Sequence, residues 1–370
     1  MKKEYDYLIV GAGVFGATFA YMARQRGKRC LVIDKRPHLG GNVYCENVEG
    51  ITVHKYGPHI FHTNDESVWE FVNRFVTFNQ FTLNPIAVFN DKLYNLPFNL
   101  HTFYQMWGVT KPEDAIAIIE RQRRAVNTHI PRNLEEQAIC LVGHDIYETL
   151  IKGYTEKQWG RPCCELPADI IRRLPVRFCF NNNYFNDRFQ GIPEGGYNVL
   201  IDGLLKGIEC HTNCNFIDYR SSLEGIADRI IYTGPIDEFF DYRLGRLEYR
   251  SLRFEHEDLP TNNFQGNAIV NYTNADVPYT RVVEHKWFDI HNADAVNASH
   301  TVITREYPQG FTPGAEPYYP INDERNTRLY QDYFTLSREE TPDIVFAGRL
   351  GAYRYLDMDH VIERALAYWK

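Results

Sequence analysis

Tyr7-Leu8-Ile9-Val10 is a continuous apolar run of strand length, and Cys30-Leu31-Val32-Ile33-Asp34 is a second. Short unbroken runs bounded by turn residues mark strands buried on both faces, as in a parallel sheet. Between them Gly11-Ala12-Gly13-Val14-Phe15-Gly16 opens a helix that the pattern carries through Arg24. A later run, Asp343-Ile344-Val345-Phe346-Ala347, also feeds a glycine turn, Gly348-Arg349-Leu350-Gly351. Over residues 112–158 the spacing becomes helical, with Ala115, Ile116, Ile118 and Ile119, then Ile139, Cys140 and Val142, then Ile146, Leu150 and Ile151. Asn133-Leu134-Glu135-Glu136 reads as a capping box for one of these helices. Residues 241–310 read as strands, with Leu247–Phe254, Ala268–Tyr272, Tyr279–Trp287 and Thr301–Tyr307 as the segments of an antiparallel sheet. Both chain ends therefore meet at one surface, with a helical part and a sheet part inserted between them.

Pro167 and Pro175 bracket about two helical turns carrying Arg172 and Arg173, which read equally as a mobile lid or as a surface turn. Arg161, Arg177 and Arg188 lie close by in sequence, so a small anionic ligand competes with a solvated charged face. The net charge of −8 over 370 residues argues against nucleic acid as a partner. Aromatic residues make up 14% of the chain, which suits stacking on bases and sugars as well as core packing. No apolar stretch has membrane-spanning length, and Met1-Lys2-Lys3-Glu4 leads into a strand and does not read as a signal peptide. Reduced thiols and a cytoplasmic location are the expectation. Among the eight cysteines, Cys210 and Cys214 flank His211 without a second ligand pair, so no metal site is expected.

The first glycine motif has the strand, helix and acidic residue of an adenine-dinucleotide site. Its glycines allow a tight turn, close approach of a pyrophosphate, and close packing of helix on strand. The helix N-terminus favours the phosphates, and Asp34 ends the second strand where ribose hydroxyls would sit. Arg36-Pro37-His38-Leu39-Gly40-Gly41-Asn42 follows directly, and a basic residue before a glycine doublet resembles FAD enzymes more than NAD enzymes. The fold class expected is α/β: a Rossmann-like FAD-binding domain of the glutathione-reductase and amine-oxidase type, with an inserted helical domain and an antiparallel sheet domain. The FAD-binding part takes residues 1–78, 195–240 and 335–370. The helical part takes 99–182, and the sheet part takes 79–98, 183–194 and 241–334.

Six further motifs, in order, span the chain: Lys55-Tyr56-Gly57-Pro58-His59-Ile60-Phe61-His62-Thr63, Tyr94-Asn95-Leu96-Pro97, Gly153-Tyr154-Thr155-Glu156-Lys157-Gln158-Trp159, Gln190-Gly191-Ile192-Pro193, Glu316-Pro317-Tyr318-Tyr319-Pro320 and Tyr353-Arg354-Tyr355-Leu356-Asp357-Met358-Asp359. With these the chain resembles the bacterial UDP-galactopyranose mutases end to end, departing after Asn84 in Leu83-Asn84-Pro85. The resemblance implies an isomerase that interconverts UDP-galactopyranose and UDP-galactofuranose for galactofuranose-containing cell-surface glycans. It implies FAD active in its reduced form, whose N5 attacks the anomeric carbon and expels UDP, with no net redox change. A homodimer without membrane insertion and an unidentified flavin reductant come with it.

By the same resemblance Arg173 and Arg281 form a catalytic clamp on the leaving diphosphate, with Arg250 beside them, since guanidinium suits phosphate geometry. Tyr154, Tyr355 and one or both of Tyr318 and Tyr319 supply neutral donors; strict alternation would turn only one of that pair inward. Tyr184 and Phe185 stack on uracil, Thr155 and Trp159 line the same cleft, and Asn84 and Asn271 complete the substrate set. Gly11, Gly13, Phe15, Gly16, Asp34, Lys35, Gly41 and Asn42 hold the cofactor from the N-terminal side. Arg349, Leu356, Asp357 and Met358 hold it from the C-terminal side. His59 and His62 lie beside flavin and sugar, where a histidine would stabilise an anionic reduced flavin or report its protonation; for His59 a satisfied core histidine is the other reading, and His62 is also a catalytic candidate. Two other readings compete: a redox flavoenzyme acting on a sugar nucleotide or amine, and a flavin-free protein like the GDP-dissociation inhibitors. Asp34, Gly40-Gly41 and Arg349 argue against the second, because each has a task only when a dinucleotide is bound.

Overall fold

The computed structural model describes residues 3–124, 126, 130–171, 174–312 and 314–369. Arg172 and Arg173 lie outside the described residues, and so does the expectation of a lid with a clamp arginine.

Five parallel strands form the first sheet, in the order Ile344–Phe346, Ala227–Tyr232, Tyr5–Val10, Cys30–Ile33, Glu209–His211. The apolar run of Tyr5–Val10 is explained by burial on both faces. Leu8 packs among Phe216, Phe239 and Tyr333 on one face, and Ile9 among Ala17, Phe19 and Ile201 on the other. Helix Val14–Gln25 covers the second face together with Tyr197–Leu205 and Met358–Ala367. The C-terminal glycine turn thus sits near the N-terminal one, at the carboxyl ends of two strands separated only by Ala227–Tyr232, where ligands bind in such sheets.

A seven-stranded sheet follows the order Tyr319–Pro320, Tyr249–Leu259, Thr301–Gly310, Arg281–Glu284, Ile269–Tyr272, Ile86–Phe89, Lys92–Asn95. It departs from the purely antiparallel expectation at one pair, Ile269–Tyr272 with Ile86–Phe89, which run parallel. The last two strands arrive as a ready hairpin, turned by Asn90 and Asp91 at φ 48° and 62°. Added as a unit to the sheet edge, that hairpin has the direction of its inner strand set by the chain that delivers it.

The helical segments share a separate core of Leu100, Phe103, Ile119, Leu134, Ile139, Tyr147 and Ile151. Asn133 accepts from the Glu136 N–H at 2.9 Å, as the capping motif predicts. The Glu136 carboxylate reaches the Arg132 N–H at 2.8 Å, so only half of the box forms. No helix among the described residues is long and apolar enough to cross a membrane.

Candidate active site

The two glycine turns and the inner face of the seven-stranded sheet enclose one cavity of about 690 Å³. On the dinucleotide side the turn is sterically closed to other residues. A Cβ on Gly16 would lie 2.0 Å from the Gly11 carbonyl oxygen, and one on Gly41 would lie 3.0 Å from the Gly13 Cα. Helix Val14–Gln25 starts with neither a side-chain cap nor an acidic residue in its first turn, leaving N–H groups free for an anion. Helix Met358–Ala367 also starts at the cavity wall without a side-chain cap, at Asp357. Asp34 braces this cradle, accepting from Ala12 N at 2.8 Å with one oxygen and from Arg36 N at 2.9 Å with the other. Arg36 lies over the Tyr56 ring at 4.2 Å and donates to Asn42 Oδ1 at 2.9 Å. Its buried Nη1 lacks a partner among the described residues, which suits a phosphate oxygen. The donors, the glycine contacts and this orphaned guanidinium nitrogen fit a dinucleotide.

On the sheet side, register builds a polar row. Asn271 pairs with Arg281, Arg281 with Glu306, and Glu306 with Phe254 across four neighbouring strands, so these side chains share one face. Arg281 Nε stands 2.8 Å from Glu306 Oε2, and Glu306 is buried. Burial works against the Arg281 charge, yet the Glu306 carboxylate beside it outweighs that and holds the guanidinium above its ordinary pKa. Burial also raises the hydroxyls of Tyr184 and Tyr319, which stay neutral donors through the physiological range, while Tyr355 lies at the exposed side of the ring. A fixed cation ringed by neutral hydroxyls is a site for an oxyanion.

Helix Gly153–Trp159 delivers Tyr154 to this ring. Gly153 lets it dock closely, since a Cβ there would meet the Thr273 carbonyl oxygen at 2.2 Å. One turn on, half-buried Lys157 donates to the carbonyls of Tyr272, Val277 and Tyr279 at 2.8, 3.0 and 3.0 Å. Tyr318 and Tyr319 both line the cavity but face its two halves. Tyr319 lies against Tyr355 and beside Arg281, whereas Tyr318 neighbours Arg36, Tyr56 and Glu316.

Every residue expected at the cofactor lines the cavity, as do Tyr154, Tyr184, Phe185, Asn271, Arg281 and Tyr355. Four expected substrate residues do not. Asn84 is exposed and donates to the Thr82 carbonyl at 3.2 Å, while its neighbours Leu83 and Pro85 are buried in the cavity wall. Thr155 and Trp159 follow Tyr154 on the same helix but face away from the cavity. Arg250 is spent on that helix's C-terminus, donating to the carbonyls of Gln158 at 2.8 Å and Lys157 at 3.4 Å.

His59 gives its Nδ1 proton to the Gly57 carbonyl at 2.8 Å, and burial, helped by the charges of Arg349 and Arg281, lowers its pKa to about 4. It is a neutral ring at neutral pH and adds no positive charge to the cavity, which Arg349 also lines. Sequence reasoning missed Glu306 and Asp187, the latter 2.6 Å from His62 Nδ1. Neither lies near its partner in the chain, and only strand register or loop packing brings each pair together.

A dinucleotide cradle opening onto an oxyanion site defines a cofactor-dependent enzyme that acts on an anionic substrate. The chain matches the sequence model of the UDP-galactopyranose mutase family over residues 149–355 and that of an NAD(P)-binding Rossmann-like domain over residues 9–75. It is 40% identical over 367 residues to the probable UDP-galactopyranose mutase of Klebsiella pneumoniae, covering 98% of this chain and 93% of that protein. A dTDP-fucopyranose mutase of Escherichia coli is 39% identical over 372 residues, covering 97% and 96%. The crystal structure of a reduced UDP-galactopyranose mutase superposes with a TM-score of 0.76 at 15% identity, covering 98% of this chain and 94% of that one. The chain belongs to the UDP-galactopyranose mutase family, a family of isomerases.

Proposed function

We propose that this protein interconverts UDP-galactopyranose and UDP-galactofuranose, with FAD in the dinucleotide cradle and the nucleotide diphosphate at Arg281. The observation that carries this reading is the continuity of the cavity, which joins a pyrophosphate cradle to a cation ringed by tyrosines. FAD in its reduced form supplies a nucleophile for the anomeric carbon, so ring contraction needs no net oxidant. The protein does the rest. Arg281 stabilises the departing diphosphate, Tyr154, Tyr319 and Tyr355 donate to its oxygens, and the enclosing walls exclude water. Arg173 is the natural second clamp residue, and Arg349 with Arg36 would hold the cofactor's pyrophosphate. The working form is taken as a cytoplasmic homodimer served by a separate reductant, its chain divided into the FAD-binding, helical and sheet parts set out above. One experiment separates this from a redox flavoenzyme. Oxidised holoprotein mixed anaerobically with UDP-galactopyranose keeps its flavin absorbance on the mutase reading; rapid bleaching by substrate supports the redox reading.

A second substrate is favoured by one specific feature. Leu83, Pro85 and Ile269 give the cavity an apolar wall where Asn84 was expected. Such a wall suits a methyl group better than a hydroxymethyl, and fucose is the 6-deoxy form of galactose. A kcat/KM for dTDP-fucopyranose at least tenfold above that for UDP-galactopyranose would establish this reading. The opposite ratio would leave the first.

A further inference from the structure

His62 sits in the short strand Phe61–Thr63, opposite Gln190 of Phe189–Gly191, with its side chain at the cavity. Its ring stacks on Phe185 with centroids 3.8 Å apart and planes 17° apart. Its Nδ1 lies 2.6 Å from Asp187 Oδ2. The second Asp187 oxygen accepts from Asn64 Nδ2, and Asn64 Oδ1 in turn accepts from the Arg188 N–H at 3.0 Å. Residues 185–188 are thus bolted to residues 62–64 by three hydrogen-bond contacts and one ring stack. The bolt joins the candidate base-stacking ring of Phe185 to the histidine on the cofactor side.

We propose that Asp187 is a positioning residue for the reaction, fixing the tautomer and ring plane of His62 so that Nε2 faces the cavity as a proton acceptor. An ionised carboxylate only accepts, so the His62 nitrogen beside it carries the proton. In the neutral ring that leaves Nε2 with a free lone pair, and stacking on Phe185 prevents the ring from turning. This inference rests on the mutase reading, which requires a proton to move within the substrate. As a sugar hydroxyl oxygen bonds to the anomeric carbon, its O–H bond breaks and the proton passes to Nε2. The imidazolium so formed is stabilised by Asp187. In the ring-opening half of the same turnover the imidazolium gives its Nε2 proton to the sugar oxygen that leaves the anomeric carbon, and closure restores the proton that opening used. No proton is gained or lost over the cycle, and no further reactant is needed. The pairing follows the general logic by which a carboxylate orients a catalytic imidazole.

The test compares Asp187→Asn and Asp187→Glu in the full-length reduced holoprotein. It reads kcat, the Kd for UDP, and the ¹⁵N shifts of the His62 ring, assigned with His62→Gln. The proposal predicts that Asp187→Asn lowers kcat roughly 10- to 100-fold, in line with losses on removing orienting partners. It also predicts that UDP affinity stays within about twofold, as expected for a group that does not touch the nucleotide. The protonated nitrogen should shift from Nδ1 towards Nε2 in Asp187→Asn, and Asp187→Glu should recover part of kcat together with the original tautomer. An unchanged kcat or an unchanged ¹⁵N pattern in Asp187→Asn would overturn the proposal. So would parallel losses of UDP affinity and kcat, because Asp187 would then only be holding the Phe185 segment in place. The shifts read the tautomer independently of turnover. If that tautomer moves as predicted while wild type converts no sugar nucleotide, the mutase reading fails and not the positioning.

Discussion

Replacing Arg281 by alanine removes two functions at once, and the structure sets the size of both. Its guanidinium and the Glu306 carboxylate are 2.8 Å apart, and the carboxylate side chain is only 1% exposed. At an effective dielectric of about 20, that separation corresponds to roughly 6 kcal/mol of gross attraction, much of it offset by desolvation. Removing one partner strands the other, and a buried charge without its counter-ion costs about 3–5 kcal/mol. Neither Glu306 oxygen has an aligned hydrogen-bond donor among the described residues that could replace the loss. Urea unfolding of Arg281→Ala should therefore show a stability loss of that order. Turnover of the reduced holoprotein should fall about 10²–10³-fold, as when other charge-stabilising donors are removed. Arg281→Lys keeps the charge without the fork and should fall between. Glu306→Gln completes a double-mutant cycle, in which a coupling of roughly 2 kcal/mol is expected for such a contact. Wild-type stability and wild-type turnover in Arg281→Ala would refute both the counter-ion and the clamp.

Three further outcomes follow from the same geometry. Burial lowers His59 to about 4 and His54 to about 3, both below the ordinary 6.5 that applies on unfolding. Their contribution to stability is complete above pH 6.5 and is lost as pH falls towards those values, about 3 kcal/mol for His59 alone by pH 4. Urea midpoints should thus drop between pH 7.5 and 5, and a flat profile would contradict the burial of neutral rings. Gly16→Ala drives a Cβ onto the Gly11 carbonyl, so the purified protein should lose its flavin absorbance; full retention would show that the turn can open. Tyr319→Phe should raise KM for the nucleotide sugar without loss of flavin, whereas Tyr318→Phe should leave KM unchanged, because the two rings face different halves of the cavity.

What could be read from the sequence was local. The glycine turns, Asp34 and Gly40-Gly41 each announce a backbone conformation within a few residues, and the structure places all of them at one cavity. Tyr154, Tyr318, Tyr319 and Tyr355 were legible through motifs whose order along the chain is itself specific, whereas Tyr184 and Arg281 were legible only through the family resemblance. Side-chain direction was less so. Leu83 and Asn84 differ by one position in an extended segment, and that single step decides which enters the wall and which faces solvent. Arg250 has the residue type of an anion ligand but is drawn to the exposed carbonyls of a helix end. Glu306 and Asp187 were beyond reach because sheet register and loop packing create their contacts, His62 and Asp187 being 125 residues apart. The neutral state of His59 is likewise a property of burial, which two histidines in a motif do not reveal.

On the reading proposed above, the protein interconverts the two sugar rings without net redox change and only with reduced flavin. The most direct measurement is anaerobic chromatography of UDP-galactofuranose incubated with the holoprotein, with and without dithionite. Conversion to UDP-galactopyranose that is fast only after reduction is the predicted result. Equal rates in both samples, or no conversion of either UDP-galactofuranose or dTDP-fucofuranose by the reduced protein, would contradict the account.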